Sequence, residues 1–94
     1  MAVRKIVKLR GRVQGVGFRD RILDIAQEYP VAGSVRNVRA DQSVEIDVEG
    51  REDDVDRFLA EVLARAPTFA RITGVERTSA APCGLSGFTR AASA

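Results

Sequence analysis

Hydrophobic and polar positions change their period several times along the chain, and each change marks a predicted element. From Val3 to Val13, apolar residues recur at the spacing of a strand. Residues 18–29 then show the 3.6-residue period of a helix, which a proline ends because it cannot continue the hydrogen-bond ladder. Between residues 31 and 48, apolar and polar residues alternate on both sides of a turn at 39–42. This pattern predicts a β-hairpin.

The second half of the chain predicts another helix and one or two further strands. Apolar residues between Val55 and Ala66 fall at i, i+3, i+4 and i+7, and the acidic residues 52–54 suit the positive end of a helix dipole. Residues 72–78 predict a fourth strand, and residues 86–89 predict a short edge strand. Two aromatic residues on the apolar helix faces are expected in the core, Phe18 and Phe58.

The predicted order is therefore β-α-β-β-α-β. Strands that alternate in this way need one covered face and one exposed face, and each predicted helix has a single apolar face. The arrangement that satisfies both is an α+β ferredoxin-like sandwich, an antiparallel sheet of four main strands with both helices on one side. We expect one domain spanning residues 1–94.

Composition restricts the chemistry. No apolar run approaches the roughly 20 residues that a membrane-spanning helix needs, and the basic N-terminus alternates like a strand, so a soluble cytoplasmic protein is expected. The chain has no histidine and one cysteine, Cys83, which disfavours zinc sites and Cys–His nucleophiles. A formal net charge of +2 suits a small anionic partner without requiring nucleic acid.

The segment GRVQGVGFRD, residues 11–20, joins the first strand to the first helix. Amides at the start of a helix lack intrahelical partners and attract anions. Gly15 and Gly17 would let successive amides curl around an anion, and Arg19 would add a fork suited to phosphate or carboxylate. The alternative is that the glycines serve only a tight turn and that Arg19 is solvated. Spacing alone does not decide between these interpretations.

Two segments resemble the acylphosphatase family. GRVQGVGFR at residues 11–19 matches that family's G-x-V-Q-G-V-x-F-R pattern, and GSVRN at 33–37 matches its G-x-V-x-N pattern. VDRFLAEVL at 55–63 and ARITGVE at 70–76 are similar to the family's second helix and fourth strand. The resemblance extends from about residue 5 to residue 90.

The resemblance implies a small ferredoxin-like enzyme that hydrolyses the carboxyl–phosphate bond of acyl phosphates without a metal or cofactor. It assigns catalysis to Arg19 and Asn37, although spacing alone would make Asn37 an ordinary strand-end residue. Asn37 would orient a water in line with the phosphorus, and the substrate's own phosphate oxygen would take the proton. The expected phosphate-binding residues are Gln14, Gly15, Val16, Gly17, Phe18 and Arg19.

Three positions depart from the family pattern. Ser34 stands where the family often has tryptophan, and Pro30 and Gln42 replace frequent glycines, which affects local packing more than chemistry. The sequence is also similar to the acylphosphatase-like domain that begins the hydrogenase maturation carbamoyltransferases. A free-standing chain of 94 residues favours the independent enzyme, and the alternative is a domain excised from a larger maturation factor. We also expect a monomer.

A second class of function is a non-catalytic module that binds RNA or small anions. An RNA-binding module of this fold needs exposed aromatic residues on its central strands to stack bases. The corresponding segments, KIVKLRG at 5–11 and SVEIDVEG at 43–50, contain none. We therefore expect a small acyl phosphate as the partner, with no nucleic acid and no membrane.

Overall fold

A computed structural model describes residues 2–94 of the chain. The element order confirms the predicted plan and adds the short edge strand expected near the end of the chain. The elements are β1 (Ala2–Arg12), α1 (Phe18–Ala26), β2 (Ala32–Val38), β3 (Ser43–Arg51), α2 (Glu52–Ala64), β4 (Arg71–Ala80) and β5 (Phe88–Arg90).

The strands form one five-stranded sheet in the order β4-β1-β3-β2-β5. Its first four strands are antiparallel neighbours, as the ferredoxin-like prediction requires. β5 instead runs parallel to β2, with Phe88 opposite Gly33 and Arg90 opposite Val35, so the complete sheet is mixed. The direction follows from topology: β4 runs opposite to β2, so a chain that turns and crosses to the far edge returns parallel to β2.

The core lies between the sheet and the two helices, which contact each other as well as the strands. Phe18 and Phe58 are buried as predicted, and alternation along β3 turns three apolar side chains inward: Val44, Ile46 and Val48. Phe88 of β5 packs edge-to-face on Phe58, with ring centroids 5.4 Å apart. This aromatic contact fastens the short fifth strand to the core.

Both helices end earlier than predicted. α1 stops at Ala26 because the amides of residues 27–29 donate to carbonyl oxygens three positions back, a tight turn that precedes Pro30. α2 stops at Ala64, since Pro67 keeps the residue before it out of the helical region. Over residues 2–94, neither helix is long and apolar enough to cross a bilayer.

Residues that alternate with the buried positions of β1, β2 and β3 carry paired charges. Lysine and arginine side chains of β1 and β2 face carboxylates of β3, β4 and the hairpin turn. Exposed pairs of this kind contribute only about 0–1 kcal/mol each, but they neutralise the cations of this face. The pairs are Arg4–Asp47, Lys8–Asp41, Arg10–Asp41, Arg10–Glu76 and Arg36–Glu45.

Glu49 holds the loop that carries the chain from β4 to β5. This β3 residue is only 8% exposed, and its carboxylate accepts backbone hydrogen bonds from Cys83, Gly84 and Leu85 at 2.7, 3.0 and 3.2 Å. Cys83 is exposed in that loop. The hydrogen bond from the Cys83 amide is the main cause that lowers the pKa of Glu49 below its ordinary value of 4.5, against the opposing effect of burial.

We expect Glu49→Gln to lower the melting temperature near pH 7 and to weaken its dependence on acid pH. A carboxyl group whose pKa is lowered by folding stabilises the protein above its unfolded-state pKa, and that contribution disappears as pH falls through the folded-state pKa. In thermal unfolding between pH 7 and pH 3, the gap between the two melting temperatures should therefore narrow as the pH falls below the ordinary pKa of 4.5. Glu61→Gln on α2 is the control, and a constant gap at every pH would contradict the role of Glu49.

Candidate active site

A cleft of about 110 Å³ opens where the loop after β1 meets α1, β2 and β5. It is well below the roughly 300–1,000 Å³ of pockets for drug-sized ligands, so it suits a single small group. Six of the seven predicted site residues line it; Val16 does not, because its side chain packs against the core. The lining residues are Val13, Gln14, Gly15, Gly17, Phe18, Arg19, Asp20, Asn37 and Arg90.

The loop before α1 presents open backbone amides to this cleft. Gly15 and Gly17 have φ values of 72° and 81°, the left-handed region that favours glycine. The first helical hydrogen bond runs from the Arg21 amide to the Gly17 carbonyl at 3.2 Å, so the amides of residues 18–20 have no intrahelical acceptor. Together with the helix dipole, these amides form a site that favours negative charge.

The side chain of Gln14 anchors this loop to the β2–β3 hairpin. Its Nε2 donates to the carbonyl oxygens of Val38 at 3.1 Å and Ser43 at 2.9 Å. The side-chain Nε2 is thus engaged by the backbone of the hairpin, so the donor that Gln14 offers to an anion is its main-chain N–H. Two segments far apart in sequence are thereby fixed on one cleft.

The hairpin turn itself is held by Asp41. Its carboxylate accepts a hydrogen bond from the Ser43 hydroxyl at 2.6 Å and forms an ion pair with Lys8 at 2.9 Å. These contacts, the Ser43 hydroxyl first, hold the pKa of Asp41 well below its usual range, so it stays ionised. Gln42, which replaces a frequent family glycine, adopts a positive φ of 54° in this turn.

Arg19 is one of two arginines that line the cleft. It occupies the first turn of α1 and is half-buried. Across residues 2–94 no carboxylate forms a salt bridge with it, whereas the neighbouring Asp20 pairs with Arg90. An unneutralised guanidinium beside open amides can bind an oxyanion through two parallel hydrogen bonds.

Asn37 reaches the cleft from β2. Its backbone is fixed by pairing with Val44 of β3 and by the Ala94 amide, which donates to the Asn37 carbonyl oxygen at 2.9 Å. Its side-chain Oδ1 is buried and accepts no hydrogen bond from any residue between 2 and 94. An unpaired buried acceptor costs about 1–3 kcal/mol, which favours rotation of the amide towards a hydrogen-bond donor in the cleft.

An ion pair between Asp20 and Arg90 also lines the cleft, and neither residue was predicted as a site residue. Arg90 lies 71 residues from Arg19 in sequence and reaches the cleft only because β5 pairs with β2. The predicted edge strand, residues 86–89, stopped one residue short of it. Asp20 stands in the glycine-rich segment at residues 11–20, but its position there indicates no role. Parallel pairing with the strand that carries Asn37 was the missing signal.

Comparison with known proteins identifies the relationship. A family model described as Acylphosphatase matches residues 5–90. The chain belongs to the acylphosphatase family. The two residues predicted to be catalytic, Arg19 and Asn37, lie within the matched range and line the same cleft.

Relatives and solved structures agree with this membership. An acylphosphatase from Acidiphilium cryptum is 40% identical over 90 residues, covering 96% of this chain and 97% of the relative. The crystal structure of acylphosphatase from Bacillus subtilis superposes with a TM-score of 0.85 at 33% identity, covering 97% of this chain and 99% of that one. Full-length HypF in the phosphate- and nucleotide-bound form gives a TM-score of 0.92 at 29% identity. The chain covers only 12% of HypF, while 99% of this chain is matched.

The family and these relatives support acylphosphatase activity in general, which makes the chain a hydrolase. The fold they share is the ferredoxin-like sandwich predicted from the sequence.

Proposed function

We propose that this cleft hydrolyses the carboxyl–phosphate bond of acyl phosphates, releasing a carboxylate and inorganic phosphate. The observation that carries the proposal is the convergence of the Arg19 side chain and the open amides of residues 18–20 on one cleft of about 110 Å³. Such a volume accommodates a phosphoryl group and leaves the acyl portion outside. Recognition would therefore depend on the phosphoryl group more than on the acyl chain.

Arg19 and the loop amides would act on the phosphoryl group. An acyl phosphate already has a good leaving group, a carboxylate, so catalysis needs positioning and charge stabilisation more than a strong nucleophile. The fixed amides and the guanidinium donate hydrogen bonds to the phosphoryl oxygens and stabilise their charge in the transition state. Gln14 supports this arrangement by tying the loop to the hairpin.

Asn37 would position the attacking water. Rotation of its side-chain amide, a soft torsion, gives the unpaired Oδ1 to a water in the cleft. The water oxygen bonds to phosphorus as the bond between phosphorus and the carboxylate oxygen breaks, and the electron pair leaves with the carboxylate. The proton from the water passes to a phosphate oxygen of the substrate.

The same proposal places the activity in one domain, residues 1–94, acting as a cytoplasmic monomer without a metal or cofactor. The support for metal independence is electrostatic: Arg19 and the positive end of α1 already supply the charge that a metal ion would contribute to a phosphoryl group.

A binding module for RNA is less well supported by the charge distribution. The exposed face of the sheet has its cations paired with carboxylates, as in Arg4–Asp47 and Arg36–Glu45. Paired cations release few counterions from a nucleic-acid backbone, and β1 and β3 carry no aromatic residue for base stacking. A simple anion-binding module differs from the enzyme only in turnover, which can be measured.

We expect the purified protein to hydrolyse benzoyl phosphate and acetyl phosphate at a rate that a chelator leaves unchanged. The physical reason is that protein groups supply all the positive charge used by the proposed mechanism. Release of inorganic phosphate, measured with and without EDTA, tests both parts. A rate equal to that of buffer would exclude the enzyme, and a rate abolished by EDTA and restored by a divalent cation would exclude metal independence.

A further inference from the structure

The ion pair between Asp20 and Arg90 lies on the lining of the phosphate cleft. We propose that Asp20 is an internal competitor: it occupies the Arg90 guanidinium, which an incoming phosphoryl group must take from it. The inference deepens the proposed function and rests on it for its link to turnover. It assigns Arg90 to substrate binding and makes Asp20 a residue that weakens anion affinity.

The backbone of Arg90 is fixed beside the site. Arg90 pairs with Val35 of β2, two positions before Asn37 on the same strand. The following amide, Ala91, donates to the Val35 carbonyl oxygen at 2.9 Å, and Phe88 packs on the core. Because the backbone is fixed, only the Arg90 side chain has to move to exchange the Asp20 carboxylate for a phosphoryl group.

The side chains are free to exchange partners. In the ion pair, the Arg90 side chain is 43% exposed and the Asp20 side chain is 72% exposed. Exposed ion pairs of this kind are weak, so a phosphate dianion that also contacts Arg19 competes well with a single carboxylate. Once Asp20 is displaced, Arg19 and Arg90 both donate hydrogen bonds to the bound anion.

Two simpler roles of Asp20 give different expectations. As an acidic residue in the first turn of α1, Asp20 would stabilise the helix and affect unfolding without changing phosphate affinity. If Asp20 oriented Arg90 productively, its removal would weaken binding. Competition predicts the opposite sign, tighter binding, and requires that the effect depend on Arg90.

The test measures binding of inorganic phosphate by NMR titration, together with kcat and KM for benzoyl phosphate. We expect Asp20→Asn to lower the phosphate Kd and the KM by about two- to fivefold, the range of exposed ion pairs, with kcat within about twofold. Arg90→Gln should raise both constants. In the Arg90→Gln background, Asp20→Asn should leave both constants unchanged.

Controls and thermal unfolding separate these outcomes. Asp24→Asn on α1 and Arg77→Gln on β4 change the same charges away from the cleft and should leave phosphate Kd unaltered.

An equal gain in affinity with and without Arg90, or a loss of affinity in Asp20→Asn, would overturn the inference. If the wild type binds phosphate and responds as expected but shows no turnover, the inference stands and the proposed function fails. If turnover is present and Asp20→Asn changes only the melting temperature, the inference alone fails.

Discussion

Arg19→Ala should reduce kcat/KM for benzoyl phosphate by about 10³-fold and weaken competition by inorganic phosphate. The substitution removes a bidentate donor and the cation that no carboxylate within residues 2–94 neutralises by a salt bridge. Because Arg19 contacts the phosphoryl group in both the ground state and the transition state, KM should rise while kcat falls. Steady-state kinetics with phosphate as the competitor measures both effects.

Two further variants make this prediction specific. Arg19→Lys keeps the charge without the planar fork, so it should recover only part of the lost activity. Arg77→Ala on β4 removes an exposed arginine away from the cleft and should behave like the wild type. Phosphate competition that is unchanged in Arg19→Ala would exclude its role as a phosphate ligand.

Local patterns were enough to predict most of the fold. Helix periodicity located α2 because a single apolar stripe, from Val55 onwards, is buried against the sheet. Strand alternation located β3 for the same reason, since Val44, Ile46 and Val48 share one covered face. The helix ends were wrong by a few residues, because they depend on competition between turns and proline that period alone does not resolve.

The direction of β5 could not be read from three residues of sequence. It depends on how the chain crosses the sheet after β4. The Glu49 carboxylate holds that crossing segment by accepting hydrogen bonds from three loop amides. The same non-local pairing brings Arg90 to the cleft, so the unpredicted direction of β5 and the omission of Arg90 from the predicted site have one cause. Arg19 and Asn37 were available because each stands in a contiguous motif.

The motif glycines illustrate a second limit of sequence reasoning. Gly17 has a positive φ and open space around its Cα, so its conformation alone favours glycine. Gly33 has a positive φ of 148°, and a Cβ there would lie 1.8 Å from the Asp47 carbonyl oxygen. The first glycine serves the open loop and the second serves close contact between strands. Sequence presents both as the same letter.

Asn37→Ala should lower kcat and kcat/KM for benzoyl phosphate together by about 10²-fold or more, with little change in KM. A group that orients the nucleophile only in the reacting geometry contributes to the transition state and not to substrate binding. The Kd for inorganic phosphate should therefore be preserved. Steady-state kinetics and phosphate titration on the same preparation provide the comparison, with Arg19→Ala as the variant that loses binding.

Stability distinguishes this role from a structural one. Because Asn37 Oδ1 has no hydrogen-bond donor within residues 2–94, removing it costs no internal hydrogen bond, and the melting temperature should stay near or above that of the wild type. Asn37→Leu keeps the approximate volume without the amide and should be no more active than the alanine variant. An Asn37→Ala protein that unfolds shows a structural residue. One that loses phosphate binding while kcat is intact shows a ground-state contact, and either result removes the water-positioning assignment.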